Sequence, residues 1–471
     1  MHEKIREYIC GKRERLLDII SELVAVQSVR GEPQPGAPFG TAPRAALDKA
    51  AGMCRSEGFD TRICSDAVGT ADLCPDGEFP ALGILCHLDV VPAAGQEGWL
   101  TDPFKMTEKD GVIYGRGVID DKGPFAAAFM AMKCIKELGI PLKKGVRLLF
   151  GTDEECGSED LDIYLDKAKE KLPEFVFTPD ASFPLINIEK GRLLRHFEGT
   201  HNYKGGSVVS FHGGNIPNAV PDKAECVLSD ITAAEINKAV SEDTTGAVFE
   251  ISETGGGVTV RCTGRSAHAS TPESGINAVT ALIGLLCRLP LARNRVKDMQ
   301  RDMLHALNGL FPFGETDGGH AGIKASDEKS GALTLVFSIF DMEDGRCSGT
   351  ADIRFPVCCT LNGVDSALGE SLRNAGFTAK GLDGSEPHIV DENTEFVQKL
   401  LKVYERCEGE KGYCISTGGG TYVHNIPGGV AFGVERGDTD YHMHGANEFI
   451  TVEELLKDAV IYAEAIIEIC G

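Results

Sequence analysis

Apolar residues recur at three- and four-residue steps over residues 4–26 (Ile5, Ile9, Leu16, Ile19, Ile20, Leu23, Val24), which predicts one amphipathic helix. Residues 29–43 are rich in Gly and Pro and predict a loop, and a second helix is predicted over residues 44–57, stopped by Gly58. The period then changes. Residues 81–86 (ALGILC), 146–150 (VRLLF) and 175–177 are short, continuous apolar runs of the kind that form strands buried on both faces. Between the first two, residues 125–138 predict an apolar helix ending at Gly139. Strands alternating with helices predict an α/β fold, a mostly parallel sheet with helices on both faces.

Past residue 189 the texture becomes strand-rich, with stretches at 258–262, 333–340 and 349–357 and a helix over 277–289. The last two stretches flank the turn-rich DMEDGR and predict a hairpin. Near residue 385 the first texture returns: a helix over 393–407, the glycine run 418–420, a strand over 429–434 and a C-terminal helix over 452–469. The expected organisation is a catalytic domain in two parts, 1–188 and 385–471, interrupted by an inserted α+β lid, 189–384. No repeat of 20–50 residues is visible.

Composition adds exclusions. A net charge of −24 argues against a nucleic-acid partner, because phosphate binding needs basic patches. The N-terminus is charged throughout, no segment is long and apolar enough to span a membrane, and the protein is expected in the cytoplasm. Sixteen cysteines without a C-x-x-C pair predict buried free thiols in a reducing compartment. The adjacent Cys358 and Cys359 are expected on a strand, facing opposite sides.

Candidate chemistry gathers where the strands end, the position of the binding crevice in open α/β sheets. His87 and Asp89 follow the first run, and alternate residues of an extended segment can place the carboxylate beside the imidazole. Asp120 and Asp121 lie in YGRGVIDDKGP at the start of a helix, where carboxylates also serve as N-caps. Glu154 and Glu155 lie in GTDEECG, where an extended backbone would turn one side chain to a metal and the other to substrate. Asp180 follows the third run, and His442 and His444 near the C-terminus flank one residue, so that periodicity alone does not choose between them. Two histidines and three carboxylates suffice for two divalent ions sharing one aspartate, and mixed ligation of this kind suits zinc, with manganese or cobalt as alternatives. Neither a G-x-S-x-G elbow nor a cysteine with a recognisable partner arrangement is evident.

The segments HLDVVP, GWLTDPF, YGRGVIDDKGP, GTDEECG, FTPDASFP, IEKG, GRSAHASTPESGINA, GGGTY and HMHGANE, in that order over nearly the whole chain, resemble the dipeptidase V (PepV) group. That group belongs to the metallopeptidase family that includes carnosinases, succinyl-diaminopimelate desuccinylase and aminoacylases. The resemblance implies that His87 and Asp180 bind one metal, Glu155 and His444 the other, and Asp120 both, with a cis bond to Asp121. It implies that Asp89 orients His87 and that Glu154 is the general base. It further implies that the lid residues Asn218, His268 and Arg354 hold the substrate and its tetrahedral intermediate. Where many relatives carry an arginine two residues after the tyrosine of GGGTY, this chain has His424, which bears on substrate preference. The implied activity is hydrolysis of dipeptides by a monomer. The alternatives are an N-acyl amino acid deacylase or desuccinylase on the same site, and a non-catalytic binding protein.

Overall fold

The computed structural model describes residues 1–94, 96–255, 257–291, 294–437 and 439–471. The chain divides into two compact units. One comprises Met1–Asn187, Ile389–Ile415 and Gly420–Gly471; the other comprises Ile188–His388 and the short return Ser416–Gly419.

The first unit is built on a mixed sheet in the order Asp60–Cys64, Val68–Leu73, Val146–Gly151, Leu82–His87, Phe175–Thr178, Val430–Ala431, Ile186–Glu189. Its centre is parallel: Leu82–His87 pairs with Val146–Gly151 on one side and Phe175–Thr178 on the other, and Val430–Ala431 extends the parallel run. The hairpin Asp60–Cys64/Val68–Leu73 adds an antiparallel edge. Side chains alternate between two cores. Ile84, Cys86, Leu148, Phe150 and Phe177 face a large core completed by the helices Arg13–Val24, Thr41–Ser56, Lys122–Glu137, Glu395–Glu408 and Val452–Cys470. Leu85, Leu149 and Val176 face a smaller one with Leu161, Tyr164 and Tyr422. Burial on both sides explains why these strands read as unbroken apolar runs. Complete burial of a phenylalanine such as Phe150 or Phe177 contributes about 1.5–3 kcal/mol.

The second unit carries an eight-stranded sheet, antiparallel throughout, in the order Val248–Thr254, Gly257–Thr263, Lys223–Leu228, Val208–Gly213, Thr334–Glu343, Arg346–Phe355, Gly191–Gly199, Phe377–Ser385. The helices Ala278–Arg288, Arg295–Leu310 and Leu361–Asn374 share its core through Leu282, Leu304, Phe337 and Leu368. The expected hairpin turns on Asp344 and Gly345, both at positive φ (51° and 75°), the backbone that suits a two-residue hairpin loop.

Three local expectations change. The N-terminal helix is two helices, His2–Cys10 and Arg13–Val24, separated at Gly11 and Lys12. Both bury their apolar stripes in one core, so the periodicity ran across the break. The strand expected over 429–434 is only Val430–Ala431. Cys358 and Cys359 lie not on a strand but in the turn between Arg346–Phe355 and Leu361–Asn374, with their sulfurs 3.9 Å apart on the same side. Pro356 ends the ladder one residue after the strand, so strand alternation does not reach them. All sixteen cysteines are free thiols. Among the described residues no helix is long and apolar enough to cross a membrane.

Arg147, on the strand leading to Glu154 and Glu155, is buried and grips Asp72 with Nε and Nη2 at 2.8 and 2.7 Å, while Nη1 donates to the Tyr164 hydroxyl at 2.9 Å. Arg147→Ala leaves a largely buried carboxylate without its partner and is expected to lower the unfolding free energy by about 3–5 kcal/mol. Chemical denaturation measures this, and adding Asp72→Ala should restore part of the loss.

Candidate metal centre

Two neighbouring parallel strands end side by side. Leu82–His87 delivers His87, fully buried, and Phe175–Thr178 runs into Asp180. His87 Nε2 lies 2.9 Å from Asp120 Oδ1 and 3.6 Å from Asp180 Oδ2. Asp120 arrives on a loop that passes through Gly115 and Gly117 at φ 154° and 85°, backbone that favours glycine, and its peptide bond to Asp121 is cis. The other oxygen of Asp120, Oδ2, lies 2.9 Å from His444 Nε2, which in turn lies 3.2 Å from Glu155 Oε2. One carboxylate therefore faces two imidazoles. Donor atoms of His87, Asp120 and Glu155 lie within 4.8 Å of one another, and so do those of His87, Glu154 and Asp180.

The proton on His87 can be placed. Its Nδ1 lies 3.0 Å from the Asp89 carbonyl oxygen, an acceptor, so Nδ1 carries a hydrogen. Burial disfavours charge on the ring, but Asp120, Asp180 and Asp89 outweigh it and hold the imidazole well above its usual range, so that without metal Nε2 is protonated as well. Nε2 is buried and faces Asp120 Oδ1 at 2.9 Å. An imidazole nitrogen and a carboxylate oxygen this close share a proton, and once that proton is released both atoms can serve a cation. The expected carboxylate of Asp89 is the more distant partner, with Oδ1 at 3.5 Å from Nδ1. Its oxygens instead accept the backbone N–H groups of Glu154 and Glu155 at 3.2 and 3.1 Å. Asp89 thus ties the turn bearing both glutamates to the strand end bearing His87. That turn is a 3-10 turn, Glu154–Cys156, not the extended segment expected.

The two C-terminal histidines are separated by backbone conformation. His442 and His444 sit in a turn at φ 57° and 60°, so the same-face argument for a strand does not apply. His444 turns to Asp120 and Glu155, while the His442 ring packs edge-on against Phe449 at 5.7 Å.

Electrostatics in the cluster run against its own charge. Burial raises the carboxyls of Glu154 and Asp180, and pushes Glu155 up to about 7. Burial disfavours charge on His444, but its bonds to Asp120 and Glu155 outweigh that and push the imidazole up to about 11. Burial would raise Asp120 as well, yet His444 and His87 hold it below the usual carboxylate range. Acids and imidazoles packed this closely need protons or cations between them.

Asp160, Tyr422, Arg116 and Glu448 support the cluster without having been assigned roles from the sequence. Asp160 Oδ2 accepts from the Tyr422 hydroxyl at 2.5 Å and from the amides of Thr152 and Asp153 at 2.5 and 3.0 Å, and Oδ1 accepts from the Leu161 amide. The Tyr422 ring stands edge-on to His87. A side chain at Gly151 would fall 2.0 Å from that hydroxyl, so only glycine fits. Tyr422, Arg116 and Glu448 lie inside the recognised segments GGGTY, YGRG and HGANE, which was the one available signal; their partners lie far away in sequence.

Asn218, His268 and Arg354 belong to the second unit and gather within it. Ala219 bridges His268, and Ala269 donates to the Asn218 carbonyl. Thr334 donates to the Ala269 carbonyl and stands opposite Arg354 in the hairpin. Arg354 holds Asp352 through Nε and Nη2 and donates to the Gly418 carbonyl at 3.3 Å. His424 is half-buried in the short helix Tyr422–Asn425.

A parallel-centred α/β unit with imidazoles and carboxylates converging at its strand ends, interrupted by an antiparallel unit, defines a metallopeptidase. A family model described as Peptidase family M20/M25/M40 matches residues 83–468. YtjP of Bacillus subtilis (strain 168) is 34% identical over 472 residues, 98% of each chain. The Beta-Ala-Xaa dipeptidase of Lactobacillus delbrueckii subsp. lactis is 33% identical over 482 residues, covering 100% of this chain and 99% of the relative. The crystal structure of human carnosine dipeptidase 1 shares the fold at 18% identity with a TM-score of 0.60, over 100% of this chain and 99% of that one. The chain belongs to peptidase family M20/M25/M40.

Asp160→Asn keeps one acceptor oxygen but turns the other, which accepts at least one of the four hydrogen bonds, into an NH2 that meets an N–H donor. The expected loss is about 2–4 kcal/mol of stability, read by denaturant unfolding, with Tyr422→Phe costing about 1 kcal/mol.

Proposed function

We propose that the chain is a dipeptidase in which His87 and Asp180 hold one divalent ion, His444 and Glu155 hold a second, and Asp120 holds both. The observation that carries this is the placement of the two Asp120 oxygens, each 2.9 Å from a different imidazole nitrogen. The donor set fits: imidazole and carboxylate ligands suit zinc first, with manganese and cobalt as alternatives, and the buried His87 Nε2 would be a ligand atom once its proton is released. When bound, the ions supply Lewis acidity toward a carbonyl oxygen and acidify water to near neutrality.

The remaining steps fall to the chain's own groups. Glu154, close to His87 and Asp180 and held by its amide to Asp89, takes the proton of the attacking water and returns it to the leaving amine. Burial holds its carboxyl ready to carry a proton. Asn218, His268 and Arg354 are assigned to grip the substrate and stabilise the oxyanion. Dipeptides are the preferred substrate class because the relative named Beta-Ala-Xaa dipeptidase matches over 100% of this chain. Sixteen free thiols favour a reducing compartment such as the cytoplasm.

Glu154→Ala is expected to lower kcat at least about a hundredfold while metal content stays at the wild-type level; unchanged turnover would refute the assignment. A panel of Xaa-Xaa dipeptides against N-acetyl and N-succinyl amino acids, run with zinc, manganese and cobalt in turn, should favour the dipeptides. Faster hydrolysis of the acylated amino acids would make the chain a deacylase.

Metal affinity should rise with pH. His444, held protonated up to about 11 by Asp120 and Glu155 against burial, must lose its proton to become a ligand. Below that value each released proton strengthens apparent binding about tenfold per pH unit. Calorimetric titrations from about pH 6 to 8 test this; affinity independent of pH would contradict it.

A further inference from the structure

The two halves of the cluster are built differently. His87 and Asp180 stand at the ends of adjacent parallel strands, and the His87 side chain is fully buried. His444 is 51% exposed, on a turn in which His442, His444 and Asn447 all adopt positive φ (57°, 60° and 63°). Left-handed backbone is uncommon outside glycine, although Asn and His enter it more readily than most, and three such residues in one turn call for support from their surroundings.

The surroundings are specific. Arg116 and Glu448 form an ion pair, 2.5 Å from Nη1 to Oε2, with both residues at 1% exposure or less. Arg116 Nη2 donates to the Gly445 carbonyl at 3.1 Å and to Gln96 Oε1 at 2.7 Å. Gln96 Nε2 then donates to the carbonyl of His444 itself at 2.8 Å. On the other side, Glu448 Oε1 accepts the amides of Gly117 and Ile119 at 2.9 and 3.1 Å, which fixes the loop that presents Asp120. Asn447 adds a second tie, accepting from the Leu100 amide and donating to the Gly98 carbonyl. One buried pair thus spans the loop of Asp120 and the turn of His444. Nothing comparable is needed between His87 and Asp180, whose spacing follows from the sheet.

We infer that Arg116 and Glu448 are positioning residues chiefly for the metal held by His444 and Glu155: their pair reaches both the turn of His444 and the loop of Asp120, whereas the metal held by His87 and Asp180 shares only that loop and depends on them less. The inference rests on the two-metal reading above. The planar guanidinium serves Glu448, Gly445 and Gln96 at once, a geometry that a lysine ammonium does not reproduce.

The test is metal stoichiometry and affinity, measured on the full chain by equilibrium dialysis with zinc and by cobalt(II) absorption spectra. Wild type should bind two ions. Glu448→Gln, which keeps the side-chain volume and the Oε1 acceptor, should weaken one ion at least tenfold and the other by a clearly smaller factor, with one cobalt band altered more than the other. His444→Ala should lose the same ion, and combining the two substitutions should weaken binding no further. Gln96→Leu breaks the tie to His444 without stranding a buried charge, and should weaken the same ion by a smaller factor. Equal weakening of both ions, or two ions bound at wild-type affinity in folded Glu448→Gln, would overturn the inference. Should Glu448→Gln not fold, two ions at wild-type affinity in Gln96→Leu would overturn it. A folded wild type that binds no metal would instead overturn the two-metal reading on which it stands.

Discussion

The carboxylate of Asp120 is the constraint around which the first unit is arranged. Its two oxygens point to imidazoles from opposite ends of the chain, and Asp180, Glu154 and Glu155 crowd against the same histidines. Removing so many acids from water is unfavourable unless positive charge is shared among them. Without metal that charge is protons, held on His444 by its acid neighbours. With metal, on the reading proposed, the same geometry neutralises the acids and frees the lone pairs.

Three further carboxylates are spent on backbone. Asp89 accepts the amides of Glu154 and Glu155, Asp160 those of Thr152 and Asp153, and Glu448 those of Gly117 and Ile119. Each anchors a loop that presents a functional side chain. A charged acceptor binds an amide roughly twice as strongly as a neutral one, which suits loops that must resist the repulsion they carry. Function on this fold therefore rests on two sets of acids, one facing the histidines and one facing the chain.

Much of this was legible in the sequence because the sheet is buried on both sides. Continuous apolar runs marked Leu82–His87, Val146–Gly151 and Phe175–Thr178, and the polar residues following them are the ones the structure brings together. Residues governed by backbone outside helix and strand were not legible. Strand alternation could not separate His442 from His444, because both occupy left-handed turn positions. The same reasoning failed for Cys358 and Cys359, which sit in a turn where it does not apply. Pairs made only by folding, such as Arg116 with Glu448 or Asp160 with Tyr422, carry no periodic signal in the chain.

Asp120 serving both metals is the central claim for this site. The most direct measurement is the metal content of Asp120→Asn after equilibration with zinc, beside wild type and with folding verified by circular dichroism. Two ions are expected per wild-type chain and neither held tightly by the variant, because each half of the cluster depends on one Asp120 oxygen. A folded variant that keeps either ion at wild-type affinity would contradict it.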